Sequence, residues 1–146
     1  MTELAHVVLY VRNLQRSVGF YSKVVGLTQA GTTFNGKAAV LTGGRTHHEL
    51  MLIEVGHAPG PLQGRRVGLY HVGWKIGESL DDLRRARERI KAADWVIDGM
   101  SDHTVSQSLY LRDPDGNEIE LFVDDPSVEW RKSSEWMDEP VKPLSL

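Results

Sequence analysis

The chain has 146 residues, of which 40% are hydrophobic and 25% are charged, a composition typical of one globular domain. Its net charge of −3 at pH 7 argues against a nucleic-acid or anionic-membrane partner, and no apolar run approaches the roughly 20 residues of a membrane helix. Because the chain has no cysteine, disulfide and thiolate chemistry are excluded, a cytoplasmic location is expected, and any metal must be held by His, Asp or Glu.

The first 56 residues predict a strand, a helix and three further strands. A strand rich in Val and Leu over 4–11 leads to a helix that Asn13 can cap, with apolar residues at spacings typical of one buried helix face. Gly26 is expected to end this helix. The three strands are predicted at about residues 27–31, 37–42 and 49–55.

Residues 67–123 repeat this order of elements. A strand over 67–76 precedes a helix in which Ser79 and Asp82 have the spacing of a capping box. Three strands are then predicted at about 95–100, 106–112 and 117–123, and the sequence Asp113-Pro114-Asp115-Gly116 predicts a turn between the last two. The Pro- and Gly-containing segment 57–66 is expected to be a linker, and 124–146 an irregular tail.

The two halves align at an offset of 65 residues, with His6-Val7-Val8 matching His71-Val72-Gly73. Each half alone would leave a one-sided sheet exposed, so the two are expected to build a curved mixed sheet around a shared metal cleft. The prediction is an α+β fold with two tandem βαβββ modules, 1–56 and 67–123, in one structural domain.

Three residues combine the chemistry of metal ligands with a place that is repeated in the two modules or lies inside a strand. His6 and His71 occupy matching places in the repeat, and Glu120 lies inside the last predicted strand, where strand alternation puts it on the same face as Glu118. Two imidazoles and one carboxylate form a facial triad, which leaves positions open for exogenous ligands and suits non-haem Fe(II). Aligning the fourth strands of the two modules puts Met51 at the place of Glu120, so three protein ligands are expected and not four.

The most specific stretches are His47-His48-Glu49 and residues 102–120, in which His103, Tyr110 and Glu120 follow at spacings of seven and ten. With the paired modules, these stretches resemble the vicinal oxygen chelate (glyoxalase, bleomycin resistance and dioxygenase) superfamily. Within it they resemble the short type I extradiol (catechol 2,3-) dioxygenases. Thr104 follows His103 where that family often has Gly.

The resemblance implies a role for each of these residues. It implies that His6, His71 and Glu120 bind Fe(II), with Mn(II) as an alternative metal. It implies that His48 is an acid/base, and that His103 and Tyr110 contact the substrate.

The implied activity is that of an oxidoreductase of aromatic catabolism. Such an enzyme cleaves the ring of a catechol-type vicinal diol beside its hydroxyl groups and incorporates both atoms of O₂. No nucleic acid or membrane takes part, and a homodimer or higher homo-oligomer is expected.

Three other functions are compatible with the same modules. A glyoxalase-like isomerase would use the same ligands but normally has a fourth, which the Met51 alignment denies. A fosfomycin-resistance-like transferase needs a cationic pocket, whereas the arginines of the second predicted helix are expected to face solvent. A bleomycin-resistance-type binding protein needs no metal.

Overall fold

The computed structural model describes residues 2–146 and divides into two compact units. The first consists of the described residues up to Arg65 together with Asp113–Gly116. The second consists of Arg66–Arg112 and Asn117–Leu146.

The first unit is a four-stranded sheet with one helical segment between its first two strands. Its sheet has the order β1-β4-β3-β2, in which β1 and β4 are parallel and the other neighbours are antiparallel. The elements are β1 (Val7–Val11), α1 (Leu14–Phe20), a π-helical segment (Tyr21–Val25), β2 (Thr28–Thr33), β3 (Ala38–Thr42) and β4 (Leu50–Glu54).

The ends of the first helical segment follow the chemistry of its terminal residues. The side chain of Asn13 accepts a hydrogen bond from the backbone N–H of Arg16 at 2.8 Å, which satisfies one of the free donors of the first turn. Gly26 ends the segment at a φ of 100°, a left-handed conformation that glycine adopts without steric cost. Both predicted boundaries are confirmed.

The second unit repeats this order of elements and adds a short strand from the tail. Its sheet has the order β5-β8-β7-β6-β9, with β5 and β8 parallel and the other neighbours antiparallel. The elements are β5 (His71–Gly77), α2 (Leu80–Ala92), β6 (Gly99–Asp102), β7 (Ser106–Arg112), β8 (Glu118–Asp124), a 3₁₀ turn (Glu135–Met137) and β9 (Lys142–Pro143).

One face of the second sheet is covered by α2. The helix begins with the predicted capping box, because the Ser79 side chain accepts from Asp82 N–H and the Asp82 carboxylate accepts from Ser79 N–H. Its apolar stripe and the alternate residues of β7 and β8 are fully buried: Leu83, Ala86, Ile90, Leu109, Leu111, Ile119 and Leu121. The other set of alternate residues in β7 and β8 therefore lies on the opposite face.

The predicted α+β fold of two βαβββ modules is confirmed. Both modules have the same strand order, each places its first strand parallel to its fourth, and each sheet is mixed.

Some boundaries differ from the prediction. The strand predicted from Val67 begins at His71, where pairing with β8 starts, and Gly68 at a φ of 137° interrupts the extended run before it. The strand predicted from Trp95 begins at Gly99, where pairing with β7 starts. The tail, predicted to be irregular, contains the 3₁₀ turn and β9.

Candidate metal centre

Most of the predicted site residues lie on the face of the second sheet that is opposite α2. Tyr110 of β7 lies directly across from Glu120 of β8, and His71 of β5 lies across from Glu118 of β8. Paired residues project to the same side of a sheet, so the four side chains share one face. His103 follows the end of β6 and joins them.

The Glu120 carboxylate is held by two hydroxyl groups. The Ser108 Oγ–H donates to Oε1 at 2.6 Å, and the Tyr110 O–H donates to the same oxygen at 2.8 Å. These are short hydrogen bonds to a charged acceptor, the stronger class of hydrogen bond in proteins. Oε2 is thereby left facing β5.

The imidazole of His71 meets that second oxygen. Its Nε2 lies 3.2 Å from Glu120 Oε2. Protein nitrogen and oxygen donors bind divalent metals at about 2.0–2.2 Å, so two donors at a right angle on one ion lie about 3 Å apart. The pair has the donor types and spacing of two neighbouring ligands on one metal ion.

The other ring nitrogen of His71 points toward a second carboxylate. Nδ1 is buried and makes no hydrogen bond to any residue described here, and it lies 3.5 Å from Glu118 Oε1. The guanidinium of Arg112 lies 3.5 Å from Glu118 Oε2. A metal-bound histidine commonly directs its second N–H at a carboxylate, which leaves Nε2 as the metal donor. The site is thus suited to hold a divalent metal.

His103 and Tyr110 form a hydrogen-bonded pair beside this centre. His103 Nε2 lies 2.7 Å from the Tyr110 hydroxyl oxygen. Burial raises the pKa of the Tyr110 phenol, and its hydrogen bond to Glu120 adds to the rise because it favours the protonated phenol. Tyr110 therefore keeps its proton at neutral pH and acts as a donor.

The backbone conformation of Thr104 explains why glycine is often found at this position in the extradiol dioxygenases that the sequence resembles. It has a φ of 69°, in the left-handed region, and its N–H donates to the Asp102 carboxylate at 2.8 Å. Glycine adopts this conformation without the steric cost that a β-branched residue bears. The turn that presents His103 is thus formed here by a local hydrogen bond.

The first unit brings together three histidines. The His48 ring lies 4.7 Å from that of His6 and 4.4 Å from that of His47, measured between centroids. The Nδ1 atoms of His47 and His48 are 2.5 Å apart. Partial burial lowers the pKa of His48, and the neighbouring imidazoles lower it further by repelling a positive charge. His48 is therefore biased toward its neutral form, which can accept a proton.

Glu49 anchors the loop that carries these histidines. Its buried carboxylate accepts backbone N–H bonds from three loop residues, at 2.8–3.0 Å: Gly43, Arg45 and Thr46. Burial opposes ionisation of Glu49, but these hydrogen bonds outweigh it and lower the pKa. Glu49 is thus occupied by its own loop and is not available as a metal ligand.

The structure brings four predicted residues together in the second unit and two in the first. The second-unit set is His71, His103, Tyr110 and Glu120; the first-unit set is His6 and His48. Within residues 2–146, no group of three or more His, Asp or Glu side chains has a metal-binding arrangement.

Two members of the second-unit site were not predicted as functional: Ser108 and Glu118. Each lies two residues from a predicted site residue on the same strand and so on the same face. That spacing is the sequence signal that could have identified them, but a serine or glutamate in a strand carries no distinctive motif.

Comparison with known proteins defines the family. The model of the Glyoxalase/Bleomycin resistance protein/Dioxygenase superfamily matches residues 3–121. The chain therefore belongs to this superfamily.

Two relatives are named as dioxygenases of aromatic diols. The chain is 33% identical over 135 residues to a catechol-2,3-dioxygenase of Bacillus subtilis (strain 168), a match covering 92% of this chain and 46% of that protein. It is 28% identical over 127 residues to biphenyl-2,3-diol 1,2-dioxygenase 2 of Rhodococcus globerulus, covering 86% and 65%. The chain thus spans between about half and two thirds of the length of these relatives.

The fold has counterparts among solved structures. A glyoxalase/dioxygenase from Nostoc punctiforme superposes with a TM-score of 0.73 at 22% identity, covering 84% of this chain and 91% of that one. This likeness supports the shared fold. In the part of the chain that the structure describes, every helix is too short or too polar to cross a bilayer.

Proposed function

We propose that the protein is an Fe(II)-dependent extradiol dioxygenase that cleaves a catechol-type diol beside its hydroxyl groups. The observation that carries the proposal is the 3.2 Å approach of His71 Nε2 to Glu120 Oε2, beside the paired His103 and Tyr110. An imidazole and a carboxylate at ligand spacing would hold a metal ion, and the two hydrogen-bonding side chains beside them would contact a diol. Two relatives whose names specify diol dioxygenation support the substrate class.

His71 and Glu120 would hold the iron, with His6 as the third ligand. His6 qualifies because it precedes β1 as His71 opens β5: Val7 pairs with Leu50 as Val72 pairs with Ile119. Mn(II) is the alternative metal, since it accepts the same donors. When bound, the metal ion supplies coordination of the diol and O₂ and transfer of electron density between them.

Tyr110 and His103 would orient the diol. The Tyr110 phenol donates its one proton to Glu120 Oε1, and its oxygen can accept a hydrogen bond from a diol hydroxyl. His103, 2.7 Å from the Tyr110 oxygen, limits the directions in which that phenol can point. Holding a substrate in one orientation lowers the entropic part of the barrier.

His48 would move the proton. Its lowered pKa favours the neutral imidazole, which can take a proton from a diol hydroxyl and return it later in the reaction. General acid/base catalysis of this kind typically contributes about 10²–10⁴-fold to a rate.

The test begins with anaerobic loading of the purified protein with Fe(II), followed by a substrate panel. The panel contains catechol, substituted catechols, the hemithioacetal of methylglyoxal and glutathione, and fosfomycin with a thiol. The proposal predicts O₂ uptake with the catechols alone, dependent on Fe(II). Turnover of the hemithioacetal or fosfomycin without O₂ uptake would favour an isomerase or a transferase and refute the proposal.

A further inference from the structure

Ser108 lies on the same face of β7 as Tyr110, and its buried side chain contacts the Glu120 carboxylate. Its hydroxyl donates to Oε1 at 2.6 Å, the oxygen that also accepts from Tyr110 at 2.8 Å. We infer that Ser108 is a positioning residue that restricts Glu120 to metal binding through Oε2 alone. This inference rests on the proposed function.

The strand register explains how so short a side chain reaches the carboxylate. Ser108 pairs with Phe122 and Tyr110 pairs with Glu120, so Ser108 is the diagonal neighbour of Glu120 on the same face. Its side chain is fully buried. A buried hydroxyl with a carboxylate partner is strongly directed, because leaving either group unpaired in a dry environment is costly.

Because both donors bond to the same oxygen, the two oxygens of the Glu120 carboxylate have different surroundings. Oε1 is engaged by Ser108 and Tyr110, while Oε2 lies 3.2 Å from His71 Nε2. Gly73 leaves room beside Oε2: a Cβ at that position would come within 3.2 Å of it. The geometry thus presents one oxygen to a metal ion and withholds the other.

This division matters for the proposed reaction because of the number of coordination positions. A facial triad of protein ligands would leave open positions on the metal ion for exogenous ligands. A chelating diol and O₂ together need all the open ones. If Glu120 bound through both oxygens, it would take one position more and O₂ would compete with the protein for it.

Ser108 could instead be present only because it is small enough for a crowded strand. The pair Ser108→Thr and Ser108→Val separates these explanations, because Thr and Val have nearly the same shape and only Thr keeps the hydroxyl. Ser108→Ala removes the hydroxyl with least disturbance of packing. Ser106→Ala, on the same face of β7 but without a bond to Glu120, is the matched control.

The measurement is the affinity of the metal-free protein for Mn(II), read from the EPR signal of the free ion. Loss of an outer hydrogen bond to a ligand typically costs about 10–100-fold in metal affinity. We therefore expect Ser108→Ala and Ser108→Val to bind Mn(II) at least about tenfold more weakly, with Ser108→Thr and Ser106→Ala within about threefold of wild type. Circular dichroism and thermal melting verify that each variant folds.

A second readout reports on the coordination positions themselves. Mn(II) relaxes the protons of the water molecules it binds, so the relaxivity of the loaded protein counts open positions. If Glu120 becomes bidentate without the Ser108 hydroxyl, relaxivity falls in Ser108→Val and not in Ser108→Thr.

The outcomes separate the inference from the function on which it rests. Wild-type protein that binds Mn(II), with Ser108→Ala and Ser108→Val equal to it in affinity and relaxivity, would overturn the inference alone. Equal losses in Thr and Val would assign the effect to packing and also overturn it. Wild-type protein that binds neither Mn(II) nor Fe(II) would overturn the proposed function and the inference together.

Discussion

Met51 occupies the place in the first sheet that Glu120 holds in the second. β1 pairs Val8 with Met51, and β5 pairs Gly73 with Glu120, so the register of the two parallel pairs matches residue by residue. The predicted alignment of these two residues is therefore confirmed. A thioether is a soft donor that binds hard divalent metals poorly.

This equivalence predicts that Met51 contributes nothing to metal binding. We expect Met51→Leu, which preserves volume and apolar character, to keep the Mn(II) affinity of wild type to within about threefold. An EPR titration of the free ion measures this. A loss of affinity as large as that of Glu120→Gln would instead make Met51 a fourth ligand.

Glu120 and Glu118 share a face of β8 and differ in what they contact, so they form a matched pair. Glu120→Gln removes a proposed ligand charge and should abolish detectable iron binding. Glu118→Gln removes the charge that lies 3.5 Å from His71 Nδ1 and 3.5 Å from the Arg112 guanidinium. It should weaken binding by about 10–100-fold. Iron content after anaerobic loading and desalting distinguishes them. The reverse order of effects would exchange the roles of the two carboxylates.

Replacement of His48 should affect turnover and spare binding. His48→Asn keeps a polar side chain but cannot relay a proton near neutral pH, so we expect catechol turnover to fall by at least about tenfold. Iron content and the anaerobic affinity for catechol should be unchanged. His47→Asn, at the exposed neighbour, is the control and should lose less activity. Turnover of His48→Asn close to wild type would refute its role.

Tyr21 and Asp113 form a buried hydrogen bond within the first unit that stabilises the turn at 113–116. The Tyr21 hydroxyl donates to Asp113 Oδ2 at 2.9 Å, and both residues are buried. Tyr21→Phe leaves that carboxylate without the donor and should lower the free energy of unfolding by about 1–3 kcal/mol. Tyr10→Phe, at a residue 71% exposed, should have almost no effect. Urea denaturation measures both, and equal effects would contradict the assignment.

Asp82 makes stability depend on pH at acid values. The hydrogen bond with Ser79 contributes most to lowering the pKa of Asp82. Together with the hydrogen bonds from Glu78 N–H and Arg85, it lowers this pKa to about 2. Because an unfolded Asp has a pKa of about 3.9, the stabilisation is complete above that value and is lost as pH falls toward about 2. Asp82→Asn should therefore be less stable than wild type at pH 6, with a difference that shrinks on acidification. A difference independent of pH would assign the effect to causes other than ionisation.

The predictable parts of the fold were those set by local chemistry. Asn13, Ser79 and Gly26 mark helix ends because caps and left-handed turns depend on one or two residues at known offsets. Strand starts at Val67 and Trp95 were wrong because a strand begins where a partner strand begins to pair, and that partner is distant in sequence. His71 and Gly99 open β5 and β6 for this reason.

Residues of the candidate site could be proposed from the sequence where the residue type is rare and its spacing is distinctive. The histidines, Tyr110 and Glu120 satisfy that condition. Ser108 does not, because its proposed role depends on Glu120, which becomes its diagonal neighbour only through the pairing register of β7 with β8. In the sequence, Glu118 is marked only by lying two residues from Glu120 on the same predicted strand. Its approach to His71 follows from the parallel pairing of β5 with β8.

Extradiol cleavage is tested by recording O₂ uptake and visible absorbance together while protein that was loaded with iron anaerobically reacts with catechol. We expect O₂ and catechol to be consumed in equal amounts, a yellow ring-opened semialdehyde to appear at the same rate, and Glu120→Gln to show neither signal. Iron-loaded protein that consumes no O₂, or consumes it without forming the yellow product, would refute extradiol cleavage by this protein.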